Sequence, residues 1–502
     1  MENAKELATF FKQKGYIYPS SEIYGGVSGL YDYGHLGTRL KKNFEELWRD
    51  YFLGLDDNFH EIETANIMHE KVFEASGHKQ NFTDPIVKCT KCEFFERADH
   101  LVEKALNKRV EELSEEELSQ AIKENNLKCP ICGGELGDVS VLNMMFPLSM
   151  GVGRGNQAYL RPETAQSPYV NFKLQFELLR RKLPMGLALV GRAYRNEISP
   201  RNLTLRQREF TQAELQIFFN PNTINEHPNF DEIADYKIRT VLVSDREPGD
   251  VVERTATELV ELGFPKYYVF HLAVIQSFYL DVLKLPPQKF RIYELNENEK
   301  AFYNKYHMDL EVDLNEHGFT EIGGLHYRTD HDLKGHQEVS GEKMEVMDDS
   351  TGEKIIPHVL ELSFGVDRNV YALLDVAYKQ EEDREQVIMK LPSVLAPVKV
   401  AVLPLVGKLE EPAREIYEQL RSAFECFFDR SGSIGRRYAR QDENGTPICV
   451  TVDFDTAEDN SVTLRQRDTA KQIRVSLDNI EETIMQALCD ECDFSSLGKP
   501  IN

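Results

Sequence analysis

The most informative part of this chain is the stretch LALVGRAYRNEISPRNLTLRQREFTQAELQIFF, residues 187–219. Its first part, 187–197, has the composition of a strand, and a repeat of two puts alternate residues on the same face. That face carries two small side chains and two charged ones: Gly191, Ala193, Arg195 and Glu197. A long polar turn follows, and residues 206–219 form the returning strand. The pattern predicts an antiparallel hairpin. Its small residues form the base of a surface that carries an arginine and a glutamate.

Taken alone, this stretch also fits a charged edge hairpin with cross-strand ion pairs. A second stretch, HVLELSFGVDR at 358–368, favours a binding site instead. It predicts a strand with Glu361 and Ser363 on one face, followed from Val366 by helical apolar spacing. Arg368 then lies in the first turn of a helix, where the positive end of the helix dipole disfavours a cation. We therefore expect an anion to lie beside Arg368.

Phosphate is the anion that suits a guanidinium best, because its oxygens match the planar fork of N–H donors. The chain contains no GxxxxGKS or GxxxxGKT loop. The glycine-rich GVGRGN at 151–156 lacks the strand–turn–helix setting of a phosphate-binding loop. The sequence thus predicts a triphosphate held by arginines on an antiparallel sheet.

Length and composition describe a folded protein of several domains. A chain of 502 residues corresponds to about three domains, and 41% hydrophobic with 28% charged residues excludes collagen-like and wholly disordered classes. The formal net charge of −25 means that nucleic acid can be bound only through local basic patches. The chain has no apolar run long enough for a membrane span and no signal-peptide core at its start, so we expect a cytoplasmic protein.

Two CxxC pairs, CTKC at 89–92 and CPIC at 129–132, have the spacing of the knuckles of a zinc ribbon. The second pair is followed by two glycines, which let the backbone turn its amides toward sulfur. The predicted ligands of a structural Zn²⁺ are Cys89, Cys92, Cys129 and Cys132. Four thiolates leave no open coordination position, so a catalytic zinc is not expected. A third pair, CDEC at 489–492, is interpreted as free thiols.

Several motifs make the chain resemble the homodimeric glycyl-tRNA synthetases, a family of class II aminoacyl-tRNA synthetases. RNE at 195–197, REFTQAE at 208–214 and GVDR at 365–368 are similar to class II motifs 2 and 3. The narrower resemblance rests on blocks spread over nearly the whole chain: YGGVSGLYDYG at 24–34, EASGH at 74–78, AYLRPETAQ at 158–166, AYRNEISPR at 193–201, PHVLELSFGVDR at 357–368 and GSIGRRYAR at 432–440.

The resemblance implies an α+β fold, with a seven-stranded class II antiparallel sheet flanked by helices and a C-terminal α/β anticodon-binding domain. The expected segments are 1–83 with motif 1, a zinc-ribbon insert at 84–140, catalytic core with motif 2 at 141–219, a helical insert at 220–289, catalytic core with motif 3 at 290–379, a linker at 380–397, and the anticodon-binding domain at 398–502. The C-terminal pattern predicts strands at 398–405 and 447–455 and a helix at 410–430.

The implied reaction joins glycine to ATP as glycyl-adenylate and then passes glycine to the 3′ end of tRNA(Gly). The motif match makes Arg195, Glu197 and Arg368 the catalytic residues. ATP, with Mg²⁺ as its cofactor, would be bound by Arg195, Asn196, Glu197, Arg206, Gln207, Phe210, Glu321, Ile322 and Arg368. The ammonium of glycine would be bound by Glu163, Glu214, Glu361 and Ser363. The basic, glycine-containing loop would contact tRNA through Arg436, Arg437 and Arg440. A homodimer is expected.

Glycine recognition also has a physical basis. Several carboxylates around a small cavity select a bare α-amino group, and a rigid wall excludes larger side chains without editing, because no smaller amino acid competes. Two alternatives remain: an inactive synthetase-like accessory protein and a sister enzyme for another small amino acid. Inactive relatives lose the phosphate arginines or the pocket acids, which this chain retains. Departures from the family's usual residues at His35, Glu70, Ser167 and Leu362 leave dimer detail and pocket shape open.

Overall fold

The computed structural model describes residues 2–106, 113–151, 157–198, 200, 202–247, 251–301, 303–382, 384, 386–489 and 493–501. Most of the GVGRGN stretch, residues 199 and 201 of the motif 2 turn, and Cys492 of the third cysteine pair lie outside these ranges. The side chains of residues 2–4 are likewise not described.

A large mixed but mainly antiparallel sheet forms the centre of the molecule. Within the described ranges it has nine strands, in the spatial order Val252–Thr255, Lys237–Val241, Phe290–Glu294, Tyr306–Leu314, Gly318–Thr329, His358–Gly365, Glu209–Phe219, Met185–Tyr194 and Phe59–Glu61. Two neighbouring pairs are parallel: Phe59–Glu61 with Met185–Tyr194, and Lys237–Val241 with Phe290–Glu294. The expected antiparallel core is confirmed, with nine strands in place of seven.

The register of the three middle strands brings distant polar residues into rows. Glu214 lies opposite Ser363, and Gln216 lies opposite Glu361. On the other side of the same strand, His326 lies opposite Glu361. Since paired residues of adjacent strands share a face, all five side chains lie on one face of the sheet.

The opposite face of the sheet is apolar and covered by helices. Successive residues of a strand point to opposite faces, so Phe364 points away from Ser363. The helix His35–Leu53 packs there, with the rings of Trp48 and Phe52 at 5.9 and 4.8 Å from that of Phe364. Its buried stripe has a spacing of four residues: Leu36, Leu40, Phe44, Trp48 and Phe52. The helices Lys266–Ser277 and Val366–Ala377 complete this layer and its core.

Smaller elements surround this core. Among the described residues, the remaining α-helices before residue 398 are Glu2–Lys14, Glu70–Ala75, His78–Asn81, Gln166–Leu178, Phe230–Ile233, Ala256–Glu261 and His331–Ser340, apart from two in the cysteine-bounded insert. The short strands are Ile17–Pro19 with Tyr31–Tyr33, Ile67–His69 with Gln157–Leu160 and Phe146–Ser149, Val346–Asp348 with Glu353–Ile355, and Tyr378–Lys379 with Ile388–Met389.

The segment 220–289 differs from the expected helical insert, because two of its strands join the central sheet. Lys237–Val241 and Val252–Thr255 pair with each other, and the first also pairs with Phe290–Glu294. Ile238 and Thr240, two residues apart, are fully buried. This short alternation within a charged stretch is a strand signal that the helical interpretation overlooked.

The described residues of the cysteine-bounded insert form a three-stranded sheet with two helices. Its strands are Phe95–Arg97, Thr83–Lys88 and Ser140–Asn143, and its helices are Ala98–Leu106 and Glu115–Glu124. The second helix begins after a capping box, in which Ser114 and Glu117 bond to each other's backbone amide. A separate apolar cluster of Val87, Val102, Leu118 and Ile122 stabilises the insert.

The C-terminal part has its own sheet and core, as expected for an α/β domain. Among the described residues its strands are Cys426–Phe428, Val400–Pro404, Ile448–Val452, Ser461–Gln466, Gln472–Ser476 and Lys499–Ile501. Its helices are Glu410–Leu420, Ile434–Glu443, Thr456–Asp459 and Ile480–Leu488. The predicted helix 410–430 ends at Leu420, because residues after it form the edge strand. In the described parts of the chain, every helix is too short or too polar to cross a membrane.

Candidate active site

A cleft of about 350 Å³ opens over the polar face of the middle strands. Its walls come from the motif 2 hairpin, the strand Gly318–Thr329 and the start of the helix Val366–Ala377. The cleft is lined by the predicted nucleotide residues Arg195, Glu197, Arg206, Gln207, Phe210, Glu321, Ile322 and Arg368. Asn196 does not line it, and its backbone amide donates to the carbonyl of Met144 at 2.7 Å. The structure therefore brings nearly all of the predicted set together.

Arg195 follows the end of the strand Met185–Tyr194, which is shorter than the predicted 187–197. Its Nε donates to the carbonyl of Pro162 at 3.0 Å. Its guanidinium carbon lies 5.4 Å from the ring centre of Phe82 and 5.3 Å from that of Phe210. Contacts of this kind hold the guanidinium in place while leaving its terminal nitrogens able to bind an anion.

Two other arginines of the predicted ATP site, Arg206 and Arg368, are each paired with a carboxylate of the cleft. Arg206 forms a close ion pair with the buried Glu197. Arg368 Nη1 lies 2.9 Å from Glu321 Oε2, and its Nε donates to the carbonyl of Leu205 at 3.1 Å. Arg368 is the third residue of its helix, as predicted. In this structure the expected anion beside it is the carboxylate of Glu321.

The start of that helix is tied to the sheet by a buried polar cluster that the sequence did not reveal. Asp367 accepts hydrogen bonds from Lys41 Nζ at 2.9 Å, from the Tyr33 hydroxyl at 2.6 Å, and from the amide of Thr211. A lysine on the apolar face of the helix His35–Leu53 was the available signal. The cluster fixes the position of the neighbouring Arg368.

The four residues predicted to bind the substrate glycine lie together in a buried network beside the cleft. Glu214 accepts hydrogen bonds from Thr164 Oγ1 at 2.6 Å and from Ser363 Oγ at 2.9 Å. Gln216 Nε2 donates to Glu361 Oε2 at 3.0 Å and to Glu214 Oε2 at 3.4 Å. One amide thus bridges two of the predicted ammonium-binding carboxylates.

Glu163 closes the network from the segment before the helix Gln166–Leu178. Its carboxylate accepts from Gln166 Nε2 at 3.0 Å and lies 3.4 Å from His78 Nε2. Arg328 Nη2 lies 3.9 Å from the same carboxylate, and Arg328 Nη1 donates to Glu361 at 3.1 Å. The sequence interpretation missed Arg328, which also pairs with Asp332. No local pattern pointed to it, because Arg328 lies in a strand and Asp332 in the following helix.

The three carboxyl groups have different affinities for protons. Burial raises the pKa of Glu214 to about 8, helped by the negative charges of Glu361 and Glu163. Burial acts in the same direction on Glu361, but Arg328 and His326 outweigh it and lower the pKa of Glu361 to about 2. His78 and Arg328 likewise outweigh burial and hold the pKa of Glu163 below its usual value. Glu214 is therefore the pocket acid that exchanges a proton near neutral pH.

The cysteine-bounded insert also reaches the cleft. Arg97, at the end of the strand Phe95–Arg97, lines its wall. Arg97 Nη1 lies 3.1 Å from Asp84 Oδ1, and its Nε donates to Asp99 Oδ1 at 3.1 Å. Nothing in the motif pattern pointed to Arg97, because its position depends on how the insert folds back.

The four cysteines come together as predicted. Their sulfur atoms all lie within 4.8 Å of one another, with Cys89–Cys132 at 3.5 Å and Cys92–Cys129 at 3.6 Å. Thiolates about 2.3 Å from a tetrahedral zinc ion would be about 3.8 Å apart. The arrangement fits a zinc ion with no open coordination position.

The three predicted tRNA-binding arginines lie on the helix Ile434–Glu443 and not on a loop. Arg436 is exposed. Arg440 pairs with Asp429 at 2.6 Å and is partly exposed. Arg437 is 3% exposed and donates to the carbonyls of Pro404 and Leu405. Arg437 thus stabilises the domain core, and its expected contact with tRNA does not agree with this position.

Comparison with known proteins identifies the C-terminal part first. A family model described as an anticodon binding domain matches residues 399–487. An anticodon-binding domain joined to an antiparallel sheet with an arginine-lined cleft is the architecture of a class II aminoacyl-tRNA synthetase.

Relatives that align over nearly the whole chain show which family of this class the chain belongs to. The chain is 39% identical to a glycine–tRNA ligase of Pyrococcus abyssi, over 96% of this chain and 98% of the relative. It is 36% identical to one of Methanothrix thermoacetophila over all of both chains, and 37% identical to one of Aeropyrum pernix over 99% of both. The chain belongs to the glycine–tRNA ligase family.

Proposed function

We propose that this chain attaches glycine to the 3′ end of tRNA(Gly) in two ATP-dependent steps. The observation that carries the proposal is that Arg195 and Arg368 line one cleft. The buried acidic network adjoins the same cleft through Ser363, which lines it and donates to Glu214. Retention of both sets of side chains supports an active enzyme, and no observation favours the inactive accessory role.

ATP occupies the arginine-lined part of the cleft. Arg195 binds the α-phosphate and Arg368 the γ-phosphate, while the adenine packs on Phe210 between Glu197 and Arg206. Gln207 and Ile322, which line the cleft, complete this site, whereas Asn196 does not line it. Because Arg368 is already paired with Glu321, the nucleotide must replace a carboxylate and not water. The guanidinium is therefore held near its working position before ATP binds.

Mg²⁺ fits the rim of this site, where the Glu321 carboxylate is half-exposed. Magnesium in nucleotide enzymes is commonly held by one or two carboxylates together with substrate phosphates. When bound, it neutralises phosphate charge. Glu321 is the side chain of this chain that would hold it.

Glycine binds beside the α-phosphate with its ammonium among Glu163, Glu214, Glu361 and Ser363. Two ionised carboxylates are present before binding, and the positive charge of the substrate favours ionisation of Glu214 as the third. Glycine has no side chain that the protein could contact. Selectivity therefore depends on walls that leave no space beyond its α-carbon.

The chemistry follows from this placement. The glycine carboxylate attacks the α-phosphorus, the bond to pyrophosphate breaks, and glycyl-adenylate forms. The hydroxyl of the terminal ribose of tRNA then attacks the glycyl carbonyl, and AMP leaves. Neither step requires a covalent enzyme intermediate, because positioning and stabilisation of the phosphate charge by arginines are sufficient.

The remaining assignments concern the molecule around this site. The cysteine cluster holds a structural Zn²⁺, and the exposed Arg436 and partly exposed Arg440 contact tRNA. The chain acts as a homodimer in the cytoplasm. The domains follow the segments 1–83, 84–140, 141–219, 220–289, 290–379, 380–397 and 398–502, with the segment 220–289 adding strands to the central sheet.

Charging of a tRNA(Gly) transcript with labelled glycine tests the proposal. We expect ATP-dependent formation of glycyl-tRNA. A chain that binds the transcript but forms neither adenylate nor glycyl-tRNA would be an accessory protein and would contradict it.

A further inference from the structure

His326 lies in the active site, but the reaction described so far gives it no role. It belongs to the strand Gly318–Thr329 and lines the cleft. Its Nδ1 makes a close contact with Glu361 Oε1, one of the predicted ammonium-binding carboxylates. Its side chain is mostly buried. The imidazole therefore lies between a carboxylate of the glycine pocket and the open part of the cleft.

The ring is fixed from two further directions. Its Nε2 lies over Gly324, so close that a Cβ added at Gly324 would be 2.4 Å from it. His307 of the adjacent strand packs edge-on, with ring centres 4.1 Å apart. His307 Nε2 in turn lies 3.0 Å from Asp309 Oδ1. Only a glycine at position 324 leaves room for this placement of the imidazole.

The contact between His326 and Glu361 has a defined donor and acceptor. Burial opposes a charge on His326, but Glu361 raises the pKa of the imidazole above its usual value. A proton on Nδ1 lets the ring donate to the carboxylate. Arg328 holds the other oxygen, with Nη1 3.1 Å from Glu361 Oε2. Glu361 is thus held from both sides.

We propose that His326 is a specificity-determining residue of the amino-acid site. Its N–H orients the Glu361 carboxylate toward the substrate ammonium, and its ring fills space that an amino acid larger than glycine would need. This inference rests on the proposed function, because the amino-acid site is assigned there.

Two substitutions distinguish the effect of the hydrogen bond from His326 to Glu361 from the effect of the volume of the ring. His326→Asn retains an N–H where Nδ1 lies and removes the outer part of the ring, whereas His326→Ala removes both. His358→Ala is the matched control, since His358 belongs to the same sheet and bonds to Tyr327, away from the cleft. Pyrophosphate exchange into ATP is measured with glycine, L-alanine and L-serine for wild type and all three variants.

For His326→Ala we expect a higher KM for glycine and an alanine-to-glycine ratio of kcat/KM raised by roughly 10- to 200-fold, the range set by one methylene in a pocket. His326→Asn should restore the KM for glycine and keep part of the raised ratio, while His358→Ala should leave both unchanged. Glycine binding measured by calorimetry provides a readout independent of turnover.

Thermal unfolding identifies variants that fail to fold. One folded His326 variant is enough to test the role of His326 in specificity. If the folded variants keep the wild-type ratio and glycine affinity, the inference is wrong while the proposed function stands. If wild-type protein itself shows no exchange with glycine, the proposed function fails and the inference fails with it.

Discussion

At the scale of single residues, the main feature of the site is that its arginines are held before substrate arrives. Arg206 is paired with Glu197, Arg368 with Glu321, and Arg195 lies between two aromatic rings. Side chains held in this way lose little conformational freedom when a phosphate binds. The carboxylates that hold them must give up part of these contacts to the nucleotide.

Arg368 offers the sharpest test of this arrangement. We expect Arg368→Ala to lower glycine-dependent pyrophosphate exchange by about 10²- to 10³-fold, the usual effect of removing one group that stabilises developing charge. Arg368→Lys should recover little, because an ammonium cannot replace a planar fork of donors. Arg181→Ala, at an exposed ion pair with Glu177, is the matched control. Exchange by Arg368→Ala at the control rate would exclude a phosphate role.

The raised pKa of Glu214 makes glycine binding dependent on pH. Below about pH 8 this carboxyl is protonated, mainly because of its burial, and glycine binding must release its proton. Raising the pH from 6.5 to 8 should therefore lower the KM for glycine, up to about tenfold per pH unit. Glu214→Gln should raise the KM and abolish this slope. A flat wild-type profile would show that Glu214 does not titrate during binding.

At the scale of elements, local patterns predicted the strands that pair with sequence neighbours and the helix that begins at Val366. They failed where an element end depends on a distant strand. The predicted helix 410–430 ends at Leu420, because Cys426–Phe428 pairs with Val400–Pro404. The two strands described within 220–289 were missed for another reason, because they pair with each other but their short alternation lies within a charged stretch.

The roles of buried polar residues were likewise not predictable from local sequence patterns. The motif residues could be recognised because each stands in a characteristic local block of sequence. Lys41 and Asp367 are 326 positions apart and meet only in the folded chain. Arg97, Arg328 and His326 likewise gain their roles from partners on other elements. Sequence patterns therefore predicted the groups that face the substrate better than those that position them.

The cysteine-bounded insert provides a prediction at this scale. Purified protein should carry about one zinc per chain, and Cys92→Ser should lose it, because a structural site needs all four thiolates. Without the metal, the insert should become sensitive to proteases between residues 84 and 140. Cys426→Ser, outside the cluster, is the control. Wild-type protein that contains no metal, or a Cys92→Ser variant that retains it, would contradict the assignment.

At the scale of the whole molecule, the catalytic and C-terminal parts are joined by specific contacts. Arg467 donates to the carbonyl of Leu391 at 2.8 Å, the Tyr16 hydroxyl donates to the carbonyl of Asn444 at 3.0 Å, and Lys14 pairs with Glu443. The net charge of −25 repels nucleic acid overall. Recognition of tRNA must then depend on a few local cations.

Arg436 is the exposed member of the predicted set, so its removal should affect only the tRNA-dependent step. We expect Arg436→Ala to raise the KM for tRNA(Gly), to reduce the salt dependence of binding by about one unit of slope, and to leave pyrophosphate exchange unchanged. Arg421→Ala, at the end of the helix Glu410–Leu420, is the control. Equal effects of both variants would indicate a general loss of charge and not a specific contact.

We propose that two arginines of one cleft, together with the acidic network beside it, activate glycine. Pyrophosphate exchange into ATP, measured with each amino acid in turn, tests it most directly. We predict exchange with glycine and none above background with the others. Exchange with serine or proline but not with glycine would contradict the account.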